Sequence, residues 1–257
     1  MKILCIGDIV GAPGRDIVGE LLPGLIKQYE IDMVIANGEN SAHGKGITKK
    51  IYDQLLAFGI DCITMGNHTF SKDDIFKFID EADHMVRPGN MEPLDCGECT
   101  RVFKVKNKRV AVTNLSGEVW MHNVVDSPFM MMEDILEDVE ADIYIVDFHG
   151  ETTSEKIAFT YYFASRVTAV VGTHTHVQTA DERIEQGTAA ISDLGMCGAY
   201  YSVLGRDVDE IITRFTTDDK TKYKMGSGPA IFCGVVIDID EETNQAISIE
   251  RIQIRPE

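Results

Sequence analysis

The sequence predicts an α/β fold, and three observations carry that expectation. Early in the chain, apolar runs alternate with amphipathic stretches in the order β-α-β-α-β. The later half keeps supplying apolar runs of strand length. Acidic, amide and imidazole side chains gather just past the ends of those runs, where the loops of an open α/β sheet converge on a ligand.

Taken in order, "KILCIGDI" reads as a buried strand and "GRDIVGELLPGLIKQYE" as an interrupted helical stretch. "DMVIANGEN" is a second strand. "TKKIYDQLLAFG" is a helix, with Thr48 placed as its N-cap and Gly59 just past its end. "IDCITMGNH" follows as a third strand, so parallel pairing is expected here. Further strands are read in "RVAVTNL", "ADIYIVDFHG", "VTAVVGTHTH", "TAAISDLG" and "AIFCGVVIDID", with amphipathic "SEKIAFTYYFASR" between two of them. The last strands, "AIFCGVVIDID" and "AISIERIQI", are joined by "EETNQ" and read as an antiparallel hairpin. Residues 87–128 are less regular and rich in Met, Gly and Pro. They are expected to form a small embellishment on a single domain spanning 1–257, and Met130, Met131 and Met132 to pack under a helix.

Composition narrows the class. The chain is 44% hydrophobic and 26% charged, as in a soluble protein with a sizeable core. No apolar run approaches the ~18 residues of a membrane helix, and the start lacks the pattern of a signal peptide. A cytoplasmic protein with no membrane partner is expected. Cys5, Cys62 and Cys233 sit in apolar runs, and Cys96 and Cys99 form one "CGEC" without the second pair that a zinc site needs. A net charge of −18 disfavours nonspecific nucleic-acid binding. An anionic substrate remains compatible where local cations supply the attraction.

The stretch "VVGTHTHVQTA" raises the chemistry. In extended backbone, side chains at i and i+2 share a side, so His174 and His176 are expected to converge on one small object, a metal cluster being the candidate. Other ligand types occupy comparable positions: Asp8 after the first run, Glu39 and Asn40 after the second, Asn67 and His68 after the third, and His149 after "IYIVDF". A glycine adjoins each, letting the backbone turn sharply or approach closely. Alone, Asp8 reads equally as a cap, Glu39-Asn40 as a hydrogen-bonded turn, and His68 as a structural histidine. Together they argue for one site.

The set "GD", "GEN", "GNH", a mid-chain histidine and "GTHTH" resembles the calcineurin-like metallophosphoesterases, whose pattern is D-x-H, G-D-x-x-D, G-N-H-E/D, a lone His and G-H-x-H. More narrowly, "MKILCIGDIVGAPGR", "IANGENSAHGKGIT" and "TMGNHTF" look like the bacterial YmdB-like phosphodiesterases. The resemblance runs from Met1 to the terminal hairpin. Val10 replaces the first histidine of the broad pattern, Glu39 replaces its bridging aspartate, and Thr69 stands where an acidic residue usually follows "GNH". These departures match the narrower branch.

That resemblance implies a sandwich of two mixed β-sheets flanked by helices, with a dinuclear metal site at the C-terminal ends of strands. It implies that Asp8, Glu39, Asn40 and His176 hold one metal, and that Glu39, Asn67, His149 and His174 hold the other, Glu39 bridging. Two cations about 3.5–4 Å apart clamp a phosphate diester and share a hydroxide as nucleophile. Only two carboxylates face them, so the site stays positive inside an acidic protein. Iron is the favoured metal, with manganese and zinc as the other candidates. His68 is implied to donate a proton to the leaving group; orienting a ligand is its other reading. Lys45 and His43, in the loop after Asn40, are candidates for substrate contact, as is Arg15. Asp147 is a candidate support for His149.

The function expected is hydrolysis of small cyclic nucleotides, with 2′,3′-cyclic nucleotides favoured and 3′,5′-cyclic AMP a further candidate. A phosphomonoesterase, nucleotidase or phosphoprotein phosphatase could use the same site. A regulatory module that binds an RNA-processing partner around a structural metal is the alternative from another class; a proton donor beside the site argues against it. Homo-oligomerisation is left open. A dinucleotide-binding enzyme is discounted, because Gly7, Gly11 and Gly14 do not fit G-x-G-x-x-G.

Overall fold

Leu4 and Ile6 leave the first strand on one side, Ile3 and Cys5 on the other, and both sets are buried. A strand apolar on both faces requires a layer above and a layer below it. The computed structural model, which describes residues 1–256, supplies both. In chain order the strands are β1 (Lys2–Ile6), β2 (Asp8–Ile9), β3 (Met33–Asn37), β4 (Cys62–Thr64), β5 (Met85–Val86), β6 (Thr100–Val105) and β7 (Lys108–Ser116). They continue as β8 (Ile143–His149), β9 (Ala169–Thr173), β10 (Arg183–Glu185), β11 (Thr188–Ile191), β12 (Met196–Ala199), β13 (Ala230–Ile239) and β14 (Ala246–Ile254). The helices are α1 (Gly11–Tyr29), α2 (Lys49–Ala57), α3 (Pro128–Asp138), α4 (Thr153–Phe163) and α5 (Val208–Thr216).

One sheet runs β2-β12-β13-β1-β3-β4-β5, with β14 also paired to β13; the other runs β10-β11-β9-β8-β7-β6. Both are mixed. β1, β3, β4 and β5 are parallel while β13 is antiparallel to β1. In the second sheet β7, β8, β9 and β11 are parallel, and a hairpin closes each edge.

Three cores define four layers. Leu4, Ile6, Val34 and Ile63 of the first sheet meet Val18 and Leu22 of α1 and Leu55 of α2. On the opposite face, Ile3, Cys5, Met33 and Ile35 meet Val110, Val112, Ile145 and Val171 of the second sheet. The far face of the second sheet, through Val146, Phe148 and Val170, packs on Met132 of α3 and on Phe159 and Phe163 of α4. Each such large apolar side chain contributes on the order of 1.5–3 kcal/mol on leaving water. The architecture is two mixed sheets face to face, flanked by helices.

Most local signals produce the structure expected of them. Thr48 caps α2 by accepting from the Ile51 N–H, Gly59 takes φ +102 just after it, and β13 and β14 form the terminal hairpin. The first helix differs. It is continuous through Pro23 rather than interrupted. Proline removes one intrahelical hydrogen bond and crowds the carbonyl four residues back. Here that residue is Gly19, packed tightly on the Phe58 ring, and buried Val18, Leu22 and Leu25 hold both halves of the helix on the sheet. In the stretch 87–128, β6 and β7 join the second sheet, with irregular segments on either side. Met132 and Met131 belong to the third core, whereas Met130 is exposed. Among the described residues no helix is long and apolar enough to cross a membrane.

Candidate metal centre

Buried hydrogen bonds stitch the C-terminal ends of the two sheets into one rim. The Met65 N–H donates to Asn114 Oδ1 at 2.9 Å, and Asn37 Nδ2 donates to Asp147 Oδ2 at 3.3 Å and to the Met65 carbonyl at 3.1 Å. Thr64 Oγ1 also donates to Asp147. Polar groups beyond β1, β3, β4, β8 and β9 are thereby delivered to one place. Gly66 sits at its centre: a Cβ there would collide with His149 Nε2 and Glu39 Oε2, so no larger residue leaves room for both.

Asp8, Glu39, Asn40, Asn67, His149, His174 and His176 lie in this cluster. Asn40 Nδ2 is 3.1 Å from Asp8 Oδ1, from Glu39 Oε1 and from His176 Nε2. His149 Nε2 is 2.9 Å from Asn67 Oδ1, 3.1 Å from His174 Nδ1 and 3.3 Å from Glu39 Oε1. Glu39 therefore belongs to both groups. Ligand atoms of Glu39, His149 and His174 all fall within 4.8 Å of one another.

The outer partners fix the tautomers. His176 Nδ1 faces the Leu204 carbonyl at 3.0 Å, which accepts only, so Nδ1 carries the proton. Thr173 Oγ1 donates to Asp147 Oδ1 at 2.6 Å and accepts from His149 Nδ1–H at 2.9 Å. His174 Nε2 pairs with Glu151 Oε2 at 3.0 Å. When the rings are neutral, these tautomers leave lone pairs on the nitrogens turned inward, His149 Nε2 facing His174 Nδ1 with carboxylate and amide oxygens around them. Buried lone pairs converging without protons repel unless a cation lies among them. The donor set fits a metal centre, to which Asn40 would present its amide oxygen.

The same pull on positive charge shows in the titration. Burial works against a charged His176, but Asp8 outweighs it and raises the ring to about 9. Burial raises Asp8, yet His176 and His149 hold it below the usual carboxylate range. His149 is raised despite burial because of Glu39. His174 falls to about 4, through burial and then through its neighbour His149. Burial lifts Asp147 to about 6, with His149 opposing; it supports that histidine through Thr173 rather than directly.

The two histidines of "HTH" do not converge by strand pleat. β9 ends at Thr173, and His174 and His176 take φ of +108 and +65, a loop conformation costly for side-chain-bearing residues. A buried ion pair clamps that loop. Lys156 Nζ donates to the Thr173 carbonyl at 2.8 Å and to Asp193 Oδ2 at 2.9 Å, and the same oxygen accepts the Thr175 N–H at 3.0 Å. The His174 N–H donates to Asp8 Oδ2. Lys156→Met leaves Asp193 buried and unpaired and is expected to lower stability by about 3–5 kcal/mol. Urea unfolding reads this. A loss under about 1 kcal/mol, typical of an exposed pair, would mean that the pair does not hold the loop.

The cluster opens onto a cavity of about 380 Å³ lined in part by Lys45, His68, Leu204, Arg206 and Tyr223. Only the main chain of His68 touches the donor set, its N–H donating to Glu39 Oε2 at 2.8 Å, while its ring makes a 3.4 Å contact with Ser71 Oγ. Burial lowers the His68 pKa, Glu39 opposes this, and Lys45 adds to it. His43 departs from expectation. With φ positive at His43, Gly44 and Gly46 the loop doubles back, and His43 lines a separate groove with Asp16, Glu20 and Met225. Arg15 is spent on the Ser41 carbonyl and on Gln54 Oε1, bracing the loop after Glu39. Glu151, Thr173, Lys156, Asp193, Arg206 and Tyr223 were not singled out from sequence. Of these, Glu151, two residues past His149, and Thr173, next to His174, had a positional signal.

Residues 4–252 match a family model described as "YmdB-like protein". The chain is 48% identical over 257 residues to a Bacillus subtilis protein named 2′,3′-cyclic-nucleotide 2′-phosphodiesterase, covering 99% of this chain and 97% of that one. A solved structure from Mycoplasma pneumoniae, described as a novel phosphatase, superposes with a TM-score of 0.94 at 37% identity, covering 99% of this chain and 93% of the other. A Thermus thermophilus structure described as a hypothetical protein gives a TM-score of 0.93 at 34% identity, covering 99% of each chain. The paired mixed sheets shared with the phosphatase form the metallophosphoesterase sandwich.

Proposed function

The chain belongs to the YmdB-like protein family, and from that premise we propose that it is a two-metal phosphodiesterase acting on small cyclic nucleotides, preferentially 2′,3′-cyclic ones. The observation that carries the reading is the pair of donor groups that share Glu39, with histidine nitrogens turned toward each other beneath an open cavity. Asp8, Glu39, Asn40 and His176 would hold one ion, and Glu39, Asn67, His149 and His174 the other. Such ions supply positive charge for phosphate oxygens and lower the pKa of water. The donors are nitrogen and oxygen without thiolate, which suits iron, manganese or zinc, and the family resemblance favours iron among them.

The chain's own groups supply the rest. Lys45 lines the cavity and has no ion-pair partner among the described residues, so its ammonium is available to a phosphate oxygen. The His68 ring lines the same cavity without a hydrogen bond to the donor set, and it would hand a proton to the departing 2′ oxygen. Breaking the P–O2′ bond leaves a 3′-monophosphate. A purely structural metal site needs neither an open cavity nor an adjacent proton donor.

The test is metal depletion, reconstitution with Fe(II), Mn(II) or Zn(II), and assay on 2′,3′- and 3′,5′-cyclic AMP, bis-p-nitrophenyl phosphate and p-nitrophenyl phosphate. Close to two ions per chain are expected, with 3′-AMP as the product of the 2′,3′-cyclic substrate and diester preferred over monoester. Turnover of the monoester alone, or none with both ions bound, would overturn the reading.

A further inference from the structure

Part of the cavity wall comes from a segment whose sequence has no strand or helix pattern. Leu204 and Gly205, at φ +53 and +89, form a tight turn closed by reciprocal 2.9 Å bonds between Val203 and Arg206. The turn faces the metal centre through the Leu204 carbonyl, which accepts from His176 Nδ1 at 3.0 Å. Two residues on, it presents Arg206 to the cavity.

The Arg206 guanidinium is held on two sides. Its Cζ lies 4.6 Å from the centroid of the Tyr223 ring. Its Nη2 donates to both oxygens of Glu210 at 2.6 Å, and its Nε to Oε2 at 3.1 Å. Thr221 Oγ1 donates to Glu210 at 2.6 Å, and Tyr223 Oη donates to the Gly44 carbonyl at 3.4 Å. Nη1 has no hydrogen-bond partner among the described residues.

We infer that Arg206, braced by Tyr223 and Glu210, is the platform on which the base of the nucleotide substrate stacks. The inference rests on the phosphodiesterase reading above and adds to it the group that selects nucleotides over other phosphodiesters. Charge decides between base and phosphate. Glu210 compensates the guanidinium in a two-pronged pair, whereas Lys45 has no carboxylate partner among the described residues, so Lys45 suits the anionic end of a ligand and Arg206 the neutral planar end. A guanidinium plane already fixed in place loses little entropy when a heterocycle stacks on it, and Nη1 remains to donate to an acceptor on the base edge. Val10 and Leu204 also line the wall, and a cavity of about 380 Å³ is of the size that takes a small ligand rather than a bare phosphate.

The experiment compares wild type, Arg206→Lys, Arg206→Met and Tyr223→Leu, all metal-loaded. Two readouts are taken: the ratio of kcat/KM for 2′,3′-cyclic AMP to that for methyl p-nitrophenyl phosphate, and the Kd for 3′-AMP by calorimetry. Base stacking is worth about tenfold in affinity. Arg206→Met and Tyr223→Leu should therefore each lower the ratio and raise the Kd by about that factor. Arg206→Lys, which keeps charge but not the plane, should resemble Met. Full function in the Lys variant would show that charge alone matters and would overturn the inference, as would an unchanged ratio and Kd in Tyr223→Leu, which keeps the Arg206–Glu210 pair intact. If wild type turns over neither diester, the phosphodiesterase reading fails by itself, and the 3′-AMP affinities still decide whether the platform exists.

Discussion

Glu39→Gln is expected to abolish both metal occupancy and turnover. Glu39 is the one side chain common to the two donor groups, its Oε1 facing Asn40 and His149 while its Oε2 accepts from the His68 main chain. Glutamine keeps the shape but removes a negative charge, and it offers only one ligating oxygen. Of the cluster's carboxylates only Asp8 then remains, and it faces the group around His176. Removing even an outer partner of a metal ligand commonly costs about 10–100-fold in affinity or activity, so loss of a shared ligand should exceed 100-fold. Metal analysis should fall from near two ions per chain to below one. The stabilisation that added metal confers, about 2.7 kcal/mol at a hundredfold excess over Kd, should shrink accordingly in thermal unfolding. Retention of both ions by the variant would show that Glu39 is not shared.

His68→Ala should separate turnover from metal content. The ring makes no hydrogen bond to the donor set, and the main-chain N–H bond to Glu39 survives truncation at Cβ. Metal content should therefore stay near that of wild type. Loss of a positioned general acid typically costs about 10²–10⁴-fold in rate. The loss should be smaller with a p-nitrophenolate leaving group, which departs without needing a proton, than with a 2′ alkoxide. Equal losses on both substrates, or metal lost in step with activity, would assign His68 to holding ligands instead.

What was legible from sequence, and what was not, follows from how each feature is encoded. The seven side chains of the donor cluster were legible because each lies at or just past the end of a buried run, six of them within two residues of a glycine, and parallel strands bring such ends together. The reason given for His174 and His176 was nevertheless mistaken: positive φ in a clamped loop aims them, not the pleat of a strand. The clamp was invisible, because Lys156 in an amphipathic helix reads as a surface lysine and its partner Asp193 lies 37 residues away. His43 was misplaced because proximity in sequence to Asn40 says nothing once the loop reverses through left-handed residues. Pro23 suggested a break that packing overrides. Arg206 and Tyr223 lie in irregular chain, where no period marks which side chains face a cavity.

Anomalous diffraction from crystals of the iron- or manganese-loaded protein tests the central claim most directly. Two peaks about 3.5–4 Å apart are predicted, with Glu39 between them, Asp8, Asn40 and His176 around one, and Asn67, His149 and His174 around the other. A single peak, or peaks away from these seven side chains, would contradict it.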